Sequence, residues 1–262
     1  TNTLDIPSNS FPNNLTLHRY RRKNQSYTED LGNDVKLTLM LIPSGEFLMG
    51  SPETEPESQN SERPQHLVKV APFFMGRYPV TQEQWSVVAG YDAIDRELAP
   101  VPSGFTGNNL PVENVSWEDA EEFCQRLSVK TGKNYHLPSE AQWEYACRAG
   151  TTTPFHFGEI ITTDLVNYNG EYTYNNSPKE EYRQRTTEVG SFPANAWGLH
   201  DMHGNVWEWC ADDWHEDYTD APSDGSPWLK NTKNDQTNLD KLLRGGCWDV
   251  YPRDCRSASR VH

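Results

Sequence analysis

From Thr151 onward the sequence has almost no helical period; Gly, Pro and Asn turns succeed one another, with aromatic residues standing singly between them. Long regular helices do not fit such a stretch, because Gly and Pro punctuate helices and strands alike. The chain carries 9 Trp and 12 Tyr beside 17 Gly and 18 Pro. It reads as a loop-rich protein whose irregular backbone is held by buried rings. No repeat of solenoid length runs through it.

The charge balance narrows the partners. With 23 Lys+Arg against 38 Asp+Glu in 262 residues, the formal net charge is −15. A polyanion binder needs a basic face that releases counterions, so nucleic acid is not an expected partner and anionic membrane surfaces are disfavoured. The length suffices for a sizeable core, as one large domain or two small ones. No apolar run approaches membrane-spanning length, and the start, Thr1-Asn2-Thr3-Leu4, has neither the basic nor the apolar region of a signal peptide. A cytoplasmic location without membrane insertion is expected. Cys124, Cys147, Cys210, Cys247 and Cys255 form no Cys-x-x-Cys pair and are too few for a disulfide scaffold. Buried free thiols are expected.

Residues 1–15 are polar and rich in Pro and Asn, an N-terminal arm ahead of a domain over residues 16–262. Alternation over Leu15 to Arg21 and Val35 to Ile42, around Leu31-Gly32-Asn33-Asp34, predicts a β-hairpin. Glu46-Phe47-Leu48-Met49 predicts a short strand, Ser51 to Gln65 an acidic loop, and Val68 to Tyr78 a further strand. Three capping boxes predict helices: Thr81 with Gln84, ended by Gly90; Ser116 with Asp119, ended by Gly132; and Ser139 with Gln142, ended by Gly150. The second helix is expected to face inward with Trp117, Ala120, Cys124 and Leu127. The adjacent acids Glu121-Glu122, Glu180-Glu181 and Asp212-Asp213 are expected on solvated surface. No nucleophile elbow, phosphate-cradling Gly loop or HExxH is present.

The run from Leu137-Pro138-Ser139-Glu140-Ala141-Gln142-Trp143-Glu144-Tyr145-Ala146 to Gly150 can be set beside Gly198-Leu199-His200-Asp201-Met202-His203-Gly204-Asn205-Val206-Trp207-Glu208-Trp209 and Leu243-Arg244-Gly245-Gly246. Together they resemble the formylglycine-generating enzyme, or sulfatase-modifying factor, family. Ile42-Pro43-Ser44-Gly45-Glu46-Phe47-Leu48-Met49-Gly50-Ser51, Pro79-Val80-Thr81 and Pro111 to Trp117 extend the match, from about Tyr27 to the end. The resemblance implies an α+β fold of C-type-lectin-like kind, with small sheets, few short helices and much irregular chain. In the family's enzymes an oxygen- and copper-dependent oxidation uses two Cys in a Cys-x-x-x-x-Cys arrangement, where paired thiolates suit Cu(I). Here the alignment from Arg244 puts Val250 at the first catalytic Cys, and Cys247 and Cys255 are spaced differently. Catalysis and copper are therefore not expected, and no residue is assigned as catalytic.

A second branch resembles the chain more closely at its end. Variable proteins of diversity-generating retroelements close in Arg-Gly-Gly-Ser-Trp, variable positions, Cys-Arg-Ser-Ala-x-Arg and more variable positions. The segment at about 245–262 follows that layout. The resemblance implies adenine-directed mutagenesis. Asp249, Val250, Tyr251, Asp254, Ser259, Val261 and His262 are reachable from an AAC codon, and Cys247 from AGC. These eight residues are the expected ligand-binding set, presented to a protein or other macromolecular ligand by a frame of Arg244, Gly245, Gly246, Trp248, Pro252, Arg253, Cys255, Arg256, Ser257, Ala258 and Arg260.

The resemblance also implies structural calcium, with side-chain oxygens from Asp201 and Glu208 and the carbonyls of Gly204 and Val206. A second calcium site would use Asn167, the Tyr168 carbonyl and Glu181. His200 and His203 are expected to be packed or solvent-facing rather than metal-bound. The expected function is a non-catalytic variable protein. The alternatives are a formylglycine-generating oxidase acting on a sulfatase Cys, or an interaction domain of a larger signalling chain.

Overall fold

The computed structural model describes residues 20–230 and 240–262. The expected N-terminal arm lies outside them, as does most of the strand expected at Leu15 to Arg21. The first strand is instead β1, Ser26–Gly32, antiparallel to β2, Val35–Ile42. Asn33 and Asp34 make the turn with φ of 54° and 63°, the left-handed region that Asn and Asp tolerate best among residues with a Cβ.

β3 (Gly45–Met49) pairs with β4 (His66–Val70), whereas β5 (Phe73–Gly76) pairs with β2. The single strand expected over Val68 to Tyr78 is thus two strands in two sheets. Pro72 sits at the break, where a missing N–H ends the ladder. The first sheet has the order β1-β2-β5, so β5 is an edge strand.

All three capping boxes form. Thr81 opens α1 (Gln82–Ala89), Ser116 opens α2 (Trp117–Thr131) and Ser139 opens α3 (Glu140–Arg148), each with reciprocal side-chain and backbone hydrogen bonds. Helix α3 stops one residue early, at Ala149 in the left-handed region (φ 46°). On α2 the expected Leu127 is buried and Cys124 packs against the second core, but Glu122, Phe123 and Arg126 are buried as well. Glu122 accepts the backbone N–H groups of Ile94 and Asp95, both at 2.9 Å, while Arg126 donates to the carbonyls of Ala89, Tyr91 and Arg96. A charged pair one helical turn apart satisfies a loop that has no ladder of its own, which is why these ions are inside.

After α3 the described chain forms only two strands, β6 (Glu208–Asp213) and β7 (Lys241–Arg244), which pair antiparallel. The expected scarcity of regular structure beyond Thr151 holds. Asp212 and Asp213, expected on the surface, are 3% and 2% exposed. Asp212 accepts the N–H groups of Glu140 and Trp228, and Asp213 that of Lys230. The main core gathers β2, β3, β4, α3 and the loops after it around Trp143, Met202, Cys210 and Leu242. A second core lies between the hairpin, α1 and α2, around Trp85 and Phe123. A third, around Phe155, Tyr168, Tyr174 and Cys255, underlies the C-terminal segment. The fold is α+β, with small sheets and few helices. No helix among the described residues is long and apolar enough to cross a membrane.

Candidate functional site

Arginines anchor the C-terminal segment, and helix α3 supplies much of what they bind. The capping box at Ser139 starts α3 so that Glu140 and Glu144, one turn apart, both point into the core. Arg244, at the end of β7, donates to Glu144 and to the carbonyl of Ser259. Arg260 forms a bidentate pair with Glu140 at 2.8 and 2.9 Å, donates to the carbonyls of Ser61 and His215, and lies over the rings of Trp214 and Tyr218. Arg256 reaches the acidic loop: Nη1 donates to Glu55 at 2.6 Å and Glu62 at 2.9 Å, and Nη2 to Glu62 at 2.5 Å and the Glu57 carbonyl at 3.2 Å. The three guanidinium groups are buried, and each is matched by carboxylate and carbonyl oxygens, the condition for tolerating an ion inside.

Between these anchors burial separates the residues by role. Gly245, Gly246, Pro252, Cys255, Ser257 and Ala258 are buried with the arginines. Gly246 must be glycine: its φ is 78°, and a Cβ would stand 2.6 Å from the Cys255 sulfur. Asp249 and Tyr251 are exposed, while Cys247, Val250 and Asp254 are half-buried. This loop is backed by residues from elsewhere in the chain. The Tyr251 ring lies 4.2 Å from that of Tyr172, Tyr182 stacks on Trp248, and Asn169 donates its N–H to the Val250 carbonyl.

The eight residues expected to contact ligand differ in exposure and partners. Val261 pairs with Leu243 along β7, and the exposed His262 stacks on Trp214 at 4.4 Å. Ser259 is fully buried and does not belong to a displayed set. It is pinned between Arg256, whose carbonyl accepts its N–H, and Arg244, which takes its own carbonyl.

The thiols are packed groups. Cys247 donates to Asp249 Oδ1 at 2.9 Å, and Cys255 lies fully buried against Gly246. Burial pushes both thiols up, and for Cys247 the Asp249 carboxylate adds to the effect. Without a metal, thiols held protonated in this way are poor nucleophiles. All five cysteines are free.

Of the residues expected at the first calcium site, Asp201 and Glu208 lie near enough for the charge of one to act on the other. Asp201 is buried with φ 59°; its Oδ2 accepts the Gly190 N–H at 2.7 Å and its Oδ1 has no protein partner. Glu208 accepts the Trp143 indole N–H at 2.8 Å. Burial pushes the Asp201 carboxyl up to about 6 and that of Glu208 up to about 7, the latter also raised by the charge of Asp201. The buried Asp201, with an orphaned oxygen, and the half-buried Glu208, whose ionisation Asp201 opposes, are the oxygen donors a hard cation takes. Among the described residues no three His, Cys, Asp or Glu side chains gather as a metal site, so backbone carbonyls would complete the shell. The second expected site would use Asn167, the Tyr168 carbonyl and Glu181. Asn167 has an unpartnered buried Oδ1 and donates to Arg185 and Asn205, while the exposed Glu181 pairs with Arg183 at 3.2 Å. Tyr168 is a fully buried member of the third core.

His203 is fully enclosed, with Nδ1 2.7 Å from the Cys255 carbonyl and Nε2 accepting the His156 N–H. His200 packs on Tyr78. Sequence reasoning missed the carboxylates opposite the arginines and a cavity of about 660 Å³ between β2, β5, α2 and Trp207–Trp209, lined by Leu39, Met75 and Phe123 among others. The spacing of Glu140, Glu144 and Arg148 at successive helical turns is the one local signal that could have pointed to the buried carboxylates.

A model of the Sulfatase-modifying factor enzyme 1-like domain matches residues 29–262. The formylglycine-generating enzyme of Thermomonospora curvata is 26% identical over 275 residues, covering 85% of this chain and 87% of that protein. Among solved structures, PvdO from Pseudomonas aeruginosa is 33% identical with a TM-score of 0.75, over 92% of this chain and 93% of the other. Treponema denticola variable protein 1 is alike in fold, with a TM-score of 0.64 and 24% identity over 90% and 92% of the two chains. The chain also matches the serine/threonine-protein kinase pkn1 of Chlamydia caviae, at 29% identity over 89% of its own length, but spans only 37% of that protein.

Proposed function

The chain belongs to the sulfatase-modifying factor enzyme 1-like family, and from that premise we propose that it is a ligand-binding member without catalytic activity, a variable protein of a diversity-generating retroelement on a C-type-lectin-like scaffold. One observation carries this reading: burial divides the C-terminal segment into a frame and a display. The frame residues Arg244, Gly245, Gly246, Pro252, Cys255, Arg256, Ser257, Ala258 and Arg260 are buried, Trp248 is half-buried and Arg253 is exposed, while Asp249 and Tyr251 face solvent and Cys247, Val250 and Asp254 are half-exposed between them. A surface that may hold almost any side chain requires a backbone whose position does not depend on those side chains. The buried ion pairs provide that independence.

The position at which the family's enzymes carry their first catalytic Cys holds Val250, and the thiols present are held protonated by burial. Those two facts favour binding over oxidation. Calcium would be held by Asp201 and Glu208 with the carbonyls of Gly204 and Val206. Bound there, it would supply positive charge that offsets the Asp201 and Glu208 carboxylates, the latter already held to α3 by the Trp143 indole N–H. The partner is a protein or other macromolecule that meets the displayed loop.

The test is direct: the protein, given copper, oxygen and a sulfatase-type peptide containing Cys, leaves the Cys unchanged by mass spectrometry. Formylglycine in that peptide overturns the proposal and restores the oxidase reading.

A further inference from the structure

Five of the expected ligand contacts lie on one loop, yet much of the exposed aromatic surface around them comes from another part of the chain. Tyr172 and Tyr251 are 42% and 44% exposed and meet at 4.2 Å. Tyr182 stacks on Trp248, whose edge faces Phe105. The two loops are joined by the hydrogen bond from Asn169 N–H to the Val250 carbonyl, and Tyr172 donates its N–H back to Asn169. Residues 167–182 and 247–254 therefore present one surface.

The chemistry of that surface is uneven. The aromatic faces already take cations of the same molecule: Arg253 lies 5.0 Å from the Tyr251 centroid and Arg185 lies 5.9 Å from that of Phe105. Tyr172 and Tyr182 have no such cation among the described residues. Beside them stand the exposed carboxylates of Glu171 and Asp249, which make no ion pair among the described residues. Both carboxylates act on the Tyr182 phenol, which is raised by burial and then by Asp249 and Glu171. Negative charge around exposed π-faces attracts a cation twice, through the carboxylates and through the ring quadrupole.

We infer that Glu171, Tyr172 and Tyr182 form a fixed half of the ligand surface, and that the partner is a protein presenting a Lys or Arg side chain over these tyrosines between Glu171 and Asp249. The inference rests on the displayed loop being a binding surface, and deepens that reading by naming the partner's chemistry. Diversified residues, Asp249 among them, then adjust the contact around the constant Glu171, Tyr172 and Tyr182. Tyrosine suits the constant role because it offers large area at low cost in side-chain entropy.

The experiment uses the chain diversified at positions 247, 250, 251 and 254, with Asp249 kept, displayed and selected against lysozyme, a basic protein. Selected binders are then compared on lysozyme whose lysines are succinylated. The expected result is binders that prefer the unmodified protein and lose about tenfold in affinity with Tyr172→Ala and severalfold with Glu171→Gln, chiefly through faster dissociation. Thermal melting that is unchanged in both variants shows that the loss is not unfolding. Binders that are indifferent to both substitutions, or that hold succinylated lysozyme equally well, overturn the inference while leaving the display surface intact. A folded library that yields no binder overturns the binding proposal itself, and the inference with it.

Discussion

Replacing Arg256 by Met should cost the protein a large part of its stability. Arg256 is fully buried and makes four hydrogen bonds to Glu55, Glu62 and the Glu57 carbonyl. Met fills much of the volume but leaves two carboxylates, 8% and 0% exposed, without a cation. Breaking a buried pair from one side costs about 3–5 kcal/mol, a large share of the roughly 5–15 kcal/mol that holds a domain together. For a chain of this size the melting temperature should fall by roughly 6–20 °C. The loss should also depend on pH. Burial already holds the Glu55 carboxyl above its ordinary value, and removing Arg256 raises it further. A carboxyl whose folded pKa exceeds its unfolded one stabilises the fold at low pH relative to high, so the deficit of the variant should grow as pH rises from about 4.5 to 7.5. Urea denaturation of both proteins at the two pH values measures it. A deficit below about 1 kcal/mol, or one that does not change with pH, would refute the claim that this arginine holds the segment by charge.

Substitution of the displayed residues should behave oppositely: Asp249→Ala and Tyr251→Ala are expected to change stability by no more than about 0.5 kcal/mol in the same assay. Gly246→Ala, which drives a Cβ into the Cys255 sulfur, should cost about 1–3 kcal/mol. Calcium at a hundredfold excess over its dissociation constant should stabilise the fold by about 2.7 kcal/mol, and Glu208→Gln should abolish most of that gain in differential scanning calorimetry. The Asp212 carboxyl, raised by burial and then by Glu140 to about 7, should titrate near neutrality in a carbon-13 NMR experiment. Because its folded pKa lies above the unfolded one, the contribution of this carboxyl to folding stability should decline as pH rises from about 4 to 7.

What was legible in the sequence was local. The capping boxes at Thr81, Ser116 and Ser139 are readable because donor and acceptor lie three residues apart, and the Asn33-Asp34 turn because its residue types carry its geometry. Strand β1 was not readable. Ser26 to Gly32 lacks apolar alternation, and its inward Glu29 is accommodated by Lys133 and Tyr135, more than a hundred residues away. The face of α2 was read only in part, because a hydrophobic pattern finds Leu127 but cannot reveal that Glu122 and Arg126 go inside to satisfy the backbone of residues 89–96.

The same limit applied to the site. Motifs located the C-terminal frame and the pair Asp201 and Glu208. The partners of the frame, Glu55 and Glu62 for Arg256 and Glu140 for Arg260, are 120 to 201 positions distant and become visible only in the fold. Ser259 looked like its neighbours in codon terms, yet it is the point where Arg244 grips the chain. Tyr172 and Tyr182 carried no motif; only their packing against Tyr251 and Trp248 marks them.

The account's central claim is that the C-terminal segment combines an unchanging frame with residues free to vary. Deep sequencing of the gene within one growing population tests it most directly. The account predicts substitutions concentrated at the codons of Asp249, Val250, Tyr251 and Asp254, with those of Arg244, Gly246, Cys255, Arg256 and Arg260 unchanged, and a nearby template copy carrying AAC at the varied codons. A uniform segment with no template copy beside the gene would contradict it.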